Sequence, residues 1–228
     1  MKRLLGFVGL LLCATLAQGA DVDELVKQLQ TGDNDARRAA ARSLGEGGAD
    51  SKAAVPALIK ALKDRDTFVR RFSAQALGEI GPDAQSAVRS LTTALDDPKK
   101  EVRSAAANAL GKLGSSGIAA LIGILRDDNR DTTTRRQAID ALGNLGPAGH
   151  PAVPALTDLL KEKTGKGKKK GNPSDLRVPA ATALGSLAKA SDTDTLTTLE
   201  SFTGKKSKAP RDLKQAAKQA MQQIRRNK

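Results

Sequence analysis

The side chains that most often perform catalysis or bind metals are scarce in this chain of 228 residues. His150 is the only histidine, and it lies between Gly149 and Pro151, a context typical of a turn. A Ser-His-Asp hydrolase presents its nucleophile in a G-x-S-x-G turn, and residues 114–117 (GSSG) do not match that pattern. Cys13 is the only cysteine, so an ordinary zinc site also lacks ligands. The sequence therefore predicts no catalytic residue, no metal site and no cofactor.

Cys13 lies in an N-terminal segment that has the layout of a secretory signal. Lys2 and Arg3 precede the apolar run 4–17, and small residues follow before the acidic Asp21. We expect residues 1–20 to be a signal peptide, cleaved after Gly19 or Ala20. The protein is then exported to the periplasm or the extracellular space, without a thiol and without a membrane span.

Two alternatives to cleavage stay open for this segment. A retained membrane anchor is disfavoured because about 20 apolar residues are needed to cross a bilayer, and the run 4–17 is shorter. Lipid attachment at Cys13 is disfavoured because Leu12 is not the small residue that usually precedes a modified cysteine.

The formal net charge of +13 is concentrated in two segments. Residues 21–160 hold equal numbers of basic and acidic side chains, whereas residues 161–171 carry six lysines and one glutamate. Residues 205–228 carry nine basic side chains and one aspartate. The first segment fails the G-x-x-x-x-G-K-[ST] spacing of a phosphate-binding loop. It is either a solubilising insertion or a contact for an anionic partner.

An anionic partner could be an acidic protein, phospholipid head groups or a polyanionic envelope glycan. Export disfavours nucleic acid, and so does the absence of Trp and Tyr, on which bases usually stack. The candidate contact residues in the two basic segments are Lys166, Lys168, Lys169, Lys170, Lys214, Lys218 and Arg225.

A repeat organises the rest of the chain. The dipeptide Leu-Gly recurs with spacings of 33, 33, 32 and 42 residues. Its glycines are Gly45, Gly78, Gly111, Gly143 and Gly185. An arginine lies eight residues before each of them: Arg37, Arg70, Arg103, Arg135 and Arg177. The chain is rich in Ala and Leu and poor in β-branched and aromatic residues, which favours helices over strands. This period and composition predict an all-α fold, an α-solenoid of about six two-helix repeats over residues 21–228.

We call the two helices of a repeat A and B. In the second repeat, helix B carries an apolar stripe that includes Val69, Phe72 and Leu77. Gly81-Pro82 and Gly146-Pro147 are helix stop signals. Nine extra residues enter between helices A and B of the fifth repeat, and the insertion is placed at 161–175. A basic capping helix is predicted at 210–227, and Thr134 and Gln137 predict a poorer apolar seam in the fourth repeat.

The repeats DRDTFVRRFSAQALGEIG and DPKKEVRSAAANALGKLG share the pattern Asp-x-x-x-x-Val-Arg-x-x-Ala-x-x-Ala-Leu-Gly. This pattern resembles the short HEAT-like repeats of phycobilisome lyases, over residues 22–190, and the chain looks like an exported bacterial member of that family. The resemblance implies an armadillo-type superhelix. It implies little about function, because the family includes lyases, an iron-dependent hydroxylase, DNA glycosylases and adaptors. The hydroxylases bind iron through repeated His-Glu pairs, which His150 alone cannot supply.

The leading functional hypothesis is an exported, non-enzymatic scaffold that binds another protein with its helix B face. A lyase-like or hydroxylase-like enzyme, or a cofactor-handling protein, is the second hypothesis. An envelope-associated protein held by its basic loop and cap is the third.

The arginine column has two interpretations of its own. It forms a structural ladder with Asp64, Asp66 and Asp97, or it is a stripe that contacts a ligand. The neighbouring Arg38, Arg71 and Arg136 are expected to be solvated.

Overall fold

The computed structural model describes residues 22–162, 174–204 and 206–226. In the range 174–204, side chains are described from Leu176 onwards. The secondary structure in these ranges consists of helices and turns, without a strand. The α-helices are α1 (Val22–Thr31), α2 (Asn34–Glu46), α3 (Val55–Ala61), α4 (Thr67–Ile80), α5 (Val88–Ala94), α6 (Lys100–Lys112), α7 (Ser115–Arg126), α8 (Thr132–Gly143), α9 (Val153–Lys161), α10 (Ser174–Leu187), α11 (Thr193–Thr203) and α12 (Arg211–Arg226).

Consecutive helices pair, so that odd-numbered helices are the A helices and even-numbered helices are the B helices of six repeats. Each B helix packs directly on the next one, from α2 to α12, and these helices form one layer. The A helices form the second layer. A single helix pair cannot bury both of its apolar faces, and stacking the pairs does so. The predicted all-α solenoid of six two-helix repeats is confirmed.

Glycine and proline set the entry to three of the A helices. Short 3₁₀ segments at Gly48–Ala54, Gly81–Ala87 and Gly146–Ala152 precede α3, α5 and α9. Gly81 and Gly146 have φ angles of 73° and 54°, values that side-chain-bearing residues rarely adopt. Both glycines stand immediately before a proline, as the two stop signals in the sequence predict.

Aspartates cap several B helices. Asp33 accepts a hydrogen bond from the Ala36 N–H, and Asp66 accepts from the N–H groups of Phe68 and Val69. These contacts satisfy backbone donors that a helix leaves unpaired in its first turn. The aspartates at the A–B turns therefore fix where α2 and α4 begin.

The core is a ladder of leucines between the two layers. Leu44, Leu77, Leu110 and Leu142, the leucines of four Leu-Gly dipeptides, have no exposed surface. The A-helix leucines that face them, such as Leu58, are equally buried. The predicted leucine seam is present along the array.

The glycine of each Leu-Gly dipeptide lies inside its B helix or at the last residue of that helix. At Gly45, Gly78, Gly143 and Gly185 the next B helix comes close. A Cβ atom placed at Gly78 would lie 2.9 Å from the Ala109 Cα, and one placed at Gly45 would lie 3.2 Å from the Ala76 Cα. The same holds for Gly185 and Ala220, at 3.1 Å. The repeat requires glycine here because two helix backbones are nearly in contact.

We therefore expect Gly78→Ala to destabilise the protein even though alanine is the better helix former. The new methyl group forces α4 and α6 apart, and the overpacking outweighs the propensity gain, for a net loss of about 1 kcal/mol. Gly123→Ala in α7 is the matched control, because nothing lies within 4 Å of its added Cβ. That variant should be stabilised by up to about 1 kcal/mol. Chemical denaturation measures the change in the free energy of unfolding for both variants. A change of the same sign in both would contradict the close approach of α4 and α6.

The apolar seam of the fourth repeat contains two polar residues, Thr134 and Gln137, as its sequence suggests. Thr134 is buried, and its hydroxyl donates a hydrogen bond to Asp131 Oδ2 at 2.6 Å. The amide nitrogen and oxygen of Gln137 are both buried without a hydrogen-bond partner in the described structure. Gln137 therefore weakens this seam, whereas Thr134 adds a second contact to the helix cap.

The C-terminal helix α12 ends the array. It buries Leu213, Ala216, Ala217, Ala220 and Ile224 and leaves its basic side chains on the other face. One apolar face and one solvated face are what a terminal repeat requires. The predicted capping helix at 210–227 is observed at Arg211–Arg226.

The remaining predicted segments fall at the edges of the described structure. The lysine-rich insertion predicted at 161–175 is bracketed by α9, which ends at Lys161, and α10, which begins at Ser174. Its central part, 163–173, lies outside the described residues, as does the predicted signal peptide at 1–20.

Candidate functional site

The first two arginines of the column join neighbouring repeats. Arg37 donates two hydrogen bonds to Asp64, from Nε at 2.9 Å and from Nη2 at 3.1 Å. Arg70 contacts Asp97 in the same way, at 2.7 Å and 3.1 Å. All four side chains are at most 15% exposed. Bidentate pairs with this little solvent contact hold consecutive A–B turns in register.

The electrostatics of the Arg70–Asp97 pair favour its charged form. Burial raises the pKa of the Asp97 carboxyl, but the hydrogen bonds from the Arg70 guanidinium and the Lys99 N–H outweigh it. The pKa of Asp97 therefore lies below its ordinary value. The hydrogen bond to Asp97 likewise raises the pKa of Arg70 above its ordinary value, against the effect of burial.

The ladder changes after the second repeat. Each arginine of the ladder pairs with an aspartate of the next repeat, which lies six residues before that repeat's own arginine. In the fourth repeat this position is Asn129, so Arg103 has no such aspartate to pair with. Arg103 keeps hydrogen bonds to the carbonyl oxygens of Asp97 and Pro98, which match those of Arg70 to Asp64 and Arg65, but it lacks the carboxylate that Arg70 has in the next repeat. Arg135 donates to the Leu125 carbonyl and forms ion pairs with Asp128 at 3.4 Å and Glu162 at 3.9 Å.

Arg177, the last arginine of the column, lies in the fifth repeat and is placed differently from Arg37 and Arg70. Its Nε is buried without a hydrogen-bond acceptor in the described structure. It borders a cleft of about 640 Å³ between α9 and α11, together with Glu162, Asp194 and Phe202. The column is thus a regular ladder only for Arg37 and Arg70.

His150 takes part in another contact between repeats. Its Nε2 lies 3.2 Å from Asp192 Oδ2 in the sixth repeat, and the imidazole is 37% exposed. The described residues contain no group of three or more His, Cys, Asp or Glu side chains that could hold a metal ion. Among the same residues, no helix is long and apolar enough to cross a membrane.

The exposed face of the B layer carries an aromatic and cationic cluster in the second repeat, which we call the Phe68 cluster: Arg38, Phe68, Arg71 and Phe72. Phe68 is 46% exposed and is the only large apolar side chain with an exposed surface in the described residues. The Arg38 and Arg71 guanidinium carbons lie 5.0 Å and 5.3 Å from the centre of its ring. Arg71 also lies 4.6 Å from the ring centre of Phe72.

The expectation that Arg38 is solvated is therefore wrong, and Arg71 is solvated only in part because it stacks on both rings. Arg38 donates to both carboxylate oxygens of Asp66, with Nε at 3.0 Å from Oδ1. This hydrogen bond is the main reason why the pKa of Asp66 lies far below its usual range, although burial opposes it. Asp66 thus pairs with Arg38 and not with the arginine column. Arg136, in contrast, is exposed as expected.

Two clefts lie between the B helices, and the first of them adjoins the Phe68 cluster through Phe72. The first, of about 490 Å³, is lined by Arg42, Gly45, Phe72, Gln75 and Ala76, among others. The second, of about 310 Å³, lies one repeat further along and is bordered by Gln75, Asn108 and Lys112. The close helix approach at the Leu-Gly glycines leaves shallow clefts, which are suited to an extended segment or to single side chains.

The basic candidates of the C-terminal region lie on α12. Lys218 and Arg225 are exposed, Lys214 is half-buried, and Arg225 forms an exposed ion pair with Glu200 at 3.5 Å. The insertion candidates Lys166, Lys168, Lys169 and Lys170 lie outside the described residues.

Sequence reasoning missed Phe68 as a surface residue. The alignment of the repeats contains a signal for it. Phe68 lies ten residues before its Leu-Gly glycine, and the same position in other repeats holds Asp35, Glu101 or Thr133. A phenylalanine at a position that is otherwise charged or polar indicates an exposed aromatic side chain.

Helix pairs stacked in two layers, with leucines between them and bidentate ion pairs between neighbouring repeats, define an α-solenoid. The chain belongs to the HEAT repeat family: the model of HEAT repeats matches residues 22–99 and 88–167. No curated protein matches the chain.

Several solved structures are similar to the chain at low sequence identity. The archaeal HEAT-like repeats protein of Thermococcus onnurineus NA1 is 15% identical, with 90% of this chain and 87% of that chain covered and a TM-score of 0.51. The CpcE–CpcF complex of phycocyanin lyase from Nostoc sp. PCC7120 is 23% identical, with coverages of 92% and 97% and a TM-score of 0.48. A designed armadillo repeat protein in complex with the peptide (KR)4 is 20% identical, with coverages of 90% and 100% and a TM-score of 0.48.

Proposed function

We propose that the protein is an exported, non-enzymatic scaffold that binds another protein on its B layer. The observation that carries this proposal is the Phe68 cluster beside the first of these clefts, which Phe72 lines. An aromatic ring that is 46% exposed, flanked by arginines, has the composition that is enriched at the centres of protein interfaces. The fold does not need this ring, since other repeats replace it by Asp35, Glu101 or Thr133.

A non-enzymatic role is supported by how the polar side chains are used. His150 contacts Asp192 at a turn between repeats, and Asp97 is engaged with Arg70. These groups hold repeats together, and neither borders the clefts of the B layer. The carboxylates that do border these clefts, Glu46 and Glu79, are paired with Arg42 and Lys112, an arrangement that suits binding.

Export is supported by the N-terminal sequence. The cationic start at Lys2 and Arg3, the apolar run 4–17 and the small residues before Asp21 fulfil the requirements of a secretory signal. The proposed binding therefore takes place outside the cytoplasm.

Site-specific photo-cross-linking in the producing organism tests the proposal. A photoreactive residue at Gln75 or Asn108, both exposed beside the clefts, should give a discrete adduct with a partner protein. The same residue at Lys60 or Thr93, which are exposed on A helices, is the matched control and should label at least about tenfold less.

Equal labelling of both layers, or no adduct from the B layer, would contradict the proposal. The intact mass of the native protein from the same preparation reports on export. We expect a chain that begins after Gly19 or Ala20, and a retained Met1 would contradict cleavage.

A second candidate function is attachment to an anionic envelope surface, which the exposed cations of α12 favour. Arg211, Lys218 and Arg226 are exposed on one helix whose opposite face is buried. Binding of this kind is electrostatic, so it should be lost at about 0.5 M salt, where the screening length is a few ångströms. Sedimentation with phosphatidylglycerol vesicles at increasing salt measures it.

A further inference from the structure

One cation of the Phe68 cluster, Arg71, forms no ion pair with any of the residues that the structure describes. The salt bridges of the described structure include Arg38 with Asp66 and Arg70 with Asp97, and none involves Arg71. The Arg71 Nε is moreover buried without a hydrogen-bond acceptor. Arg71 as a whole is only partly buried, so a partner carboxylate can approach the exposed part of this side chain and supply the missing counter-charge.

The two phenyl rings hold Arg71 in place. Its guanidinium carbon lies 4.6 Å from the ring centre of Phe72 and 5.3 Å from that of Phe68, and the two ring centres are 6.4 Å apart. These contacts restrict the rotamers of a long side chain before any partner binds. A carboxylate that binds Arg71 therefore meets a pre-organised donor, and less conformational entropy is lost.

The two aspartates that precede Arg71 in its own repeat, Asp64 and Asp66, are both engaged with other groups. Asp66 accepts hydrogen bonds from Arg38 and from the N–H groups of Phe68 and Val69. Asp64 accepts from Arg37 and from the Asp66 N–H. Arg38 is neutralised by Asp66, so Arg71 is the cation of the cluster that is left for a partner.

The surroundings of Arg71 also indicate what must accompany the carboxylate. Phe68 presents an apolar ring to solvent on one side, and Phe72 forms a wall of the 490 Å³ cleft on the other. Removing the Phe68 ring from water is favourable when a partner covers it with an apolar side chain. A partner segment with alternating acidic and apolar residues can satisfy both requirements at once.

We propose that the Phe68 cluster binds an acidic segment of the partner protein, with a carboxylate on Arg71 and a neighbouring apolar side chain on Phe68. This proposal rests on the proposed scaffold function and names the chemistry of the partner. Arg71 supplies the charge that selects the segment, and Phe68 and Phe72 supply the apolar contact.

Fluorescence anisotropy with a labelled eight-residue peptide of alternating glutamate and leucine tests the proposal at about 0.15 M salt, where long-range attraction is screened. We expect Arg71→Gln and Phe68→Ser each to weaken binding by about tenfold, the usual effect of losing one charge-assisted pair or one buried aromatic contact. A peptide of alternating lysine and leucine should not bind.

Arg136→Gln is the matched control. Arg136 stands seven residues before its Leu-Gly glycine, as Arg71 does, and it is exposed, but its repeat carries Thr133 and Gln137 in place of the two phenylalanines. This variant removes the same charge from the same register position and should alter binding by less than about twofold. Thermal unfolding by circular dichroism should show that all three variants are folded, because Phe68 and Arg136 are exposed and Arg71 is half-exposed.

Three outcomes would overturn the proposal. Wild-type protein that fails to bind the acidic peptide below about 1 mM excludes an acidic segment as occupant. Equal weakening by Arg71→Gln and Arg136→Gln would show non-specific attraction to a basic protein. If binding to phosphatidylglycerol vesicles is weakened by the Phe68 and Arg71 substitutions as strongly as binding to the peptide is, the occupant is a lipid surface instead.

The two proposals fail separately. If photo-cross-links from Gln75 persist in the Arg71→Gln variant, the B layer binds a partner but not through this acidic segment. If the peptide binds as expected and no cross-link forms from the B layer in the producing organism, the scaffold function fails although the binding site exists.

Discussion

Replacing Leu77 or Leu110 by alanine should lower the free energy of unfolding by about 2–5 kcal/mol. Both side chains lie between the A and B layers without exposed surface, so the substitution removes apolar contacts and leaves a cavity that the rigid helix pairs cannot fill. Denaturation followed by circular dichroism at 222 nm measures the loss, since the chain contains no tryptophan as a fluorescent probe.

Gln75→Ala is the control for these substitutions. Gln75 lies two residues before Leu77 in the same helix, but it is exposed. Its replacement should alter stability by less than about 0.5 kcal/mol. A similarly small effect at both leucines would mean that the seam between the layers lies elsewhere.

Asp97→Asn should destabilise the protein by about 2–3 kcal/mol at neutral pH, the usual value for hydrogen bonds between charged groups. The substitution leaves Arg70 without a counter-charge, at a site where the two side chains are 13% and 9% exposed. Asp96→Asn is the control, because the neighbouring Asp96 pairs with Arg130 while 50% exposed. Its loss should stay below about 1 kcal/mol.

The effect of Asp97→Asn should also depend on pH. The pKa of Asp97 is lower in the folded protein than in the unfolded chain, so its carboxylate stabilises the fold above the unfolded pKa of about 3.9. This stabilisation is lost as the pH falls towards the lower folded pKa. The difference between wild type and variant should therefore be largest at neutral pH and shrink below about pH 4. A difference that is constant down to acid pH would show that the charge of Asp97 contributes nothing.

The structure separates two uses of arginine that look alike in the sequence. Arg37 and Arg70 have carboxylate partners in the next repeat and hold the array in register. Arg71, one residue further along, stacks on phenylalanines and has no such partner in the described structure. Adjacent positions on a helix point about 100° apart, so one arginine faces the next turn and the other faces the surface of the B layer. This difference is why we propose Arg71 as the binding residue.

Several features could be predicted because they are local and repeat along the chain. The Leu-Gly period, the apolar stripe of helix B and the Gly-Pro pairs predict helix pairs, their number and their ends. The six repeats, the buried leucines and the cap at Arg211–Arg226 match these predictions. The register also suggested aspartate partners for the arginine column, and the pairs of Arg37 with Asp64 and Arg70 with Asp97 are present.

Other features were decided by contacts between residues that are distant in the chain. Arg38 was expected to be solvated, yet it binds Asp66 from the following repeat, 28 residues away. Arg177 was assigned to the column from its spacing, yet its Nε lacks an acceptor in the described structure. Spacing places a side chain on a helix face, but the partner it meets depends on how the next repeat is stacked.

The sequence by itself determined that this protein is a stack of helix pairs, because hydrophobic periodicity and helix-stop signals act within a few turns of the chain. It also determined where leucine fills the seam. Only the tertiary structure decided why glycine follows that leucine: the next B helix approaches to 2.9 Å of a Cβ placed at Gly78. Only the tertiary structure brought Arg38, Phe68, Arg71 and Phe72 together on one exposed surface. The distance between two helices is set by all the side chains between them, so no single repeat encodes it.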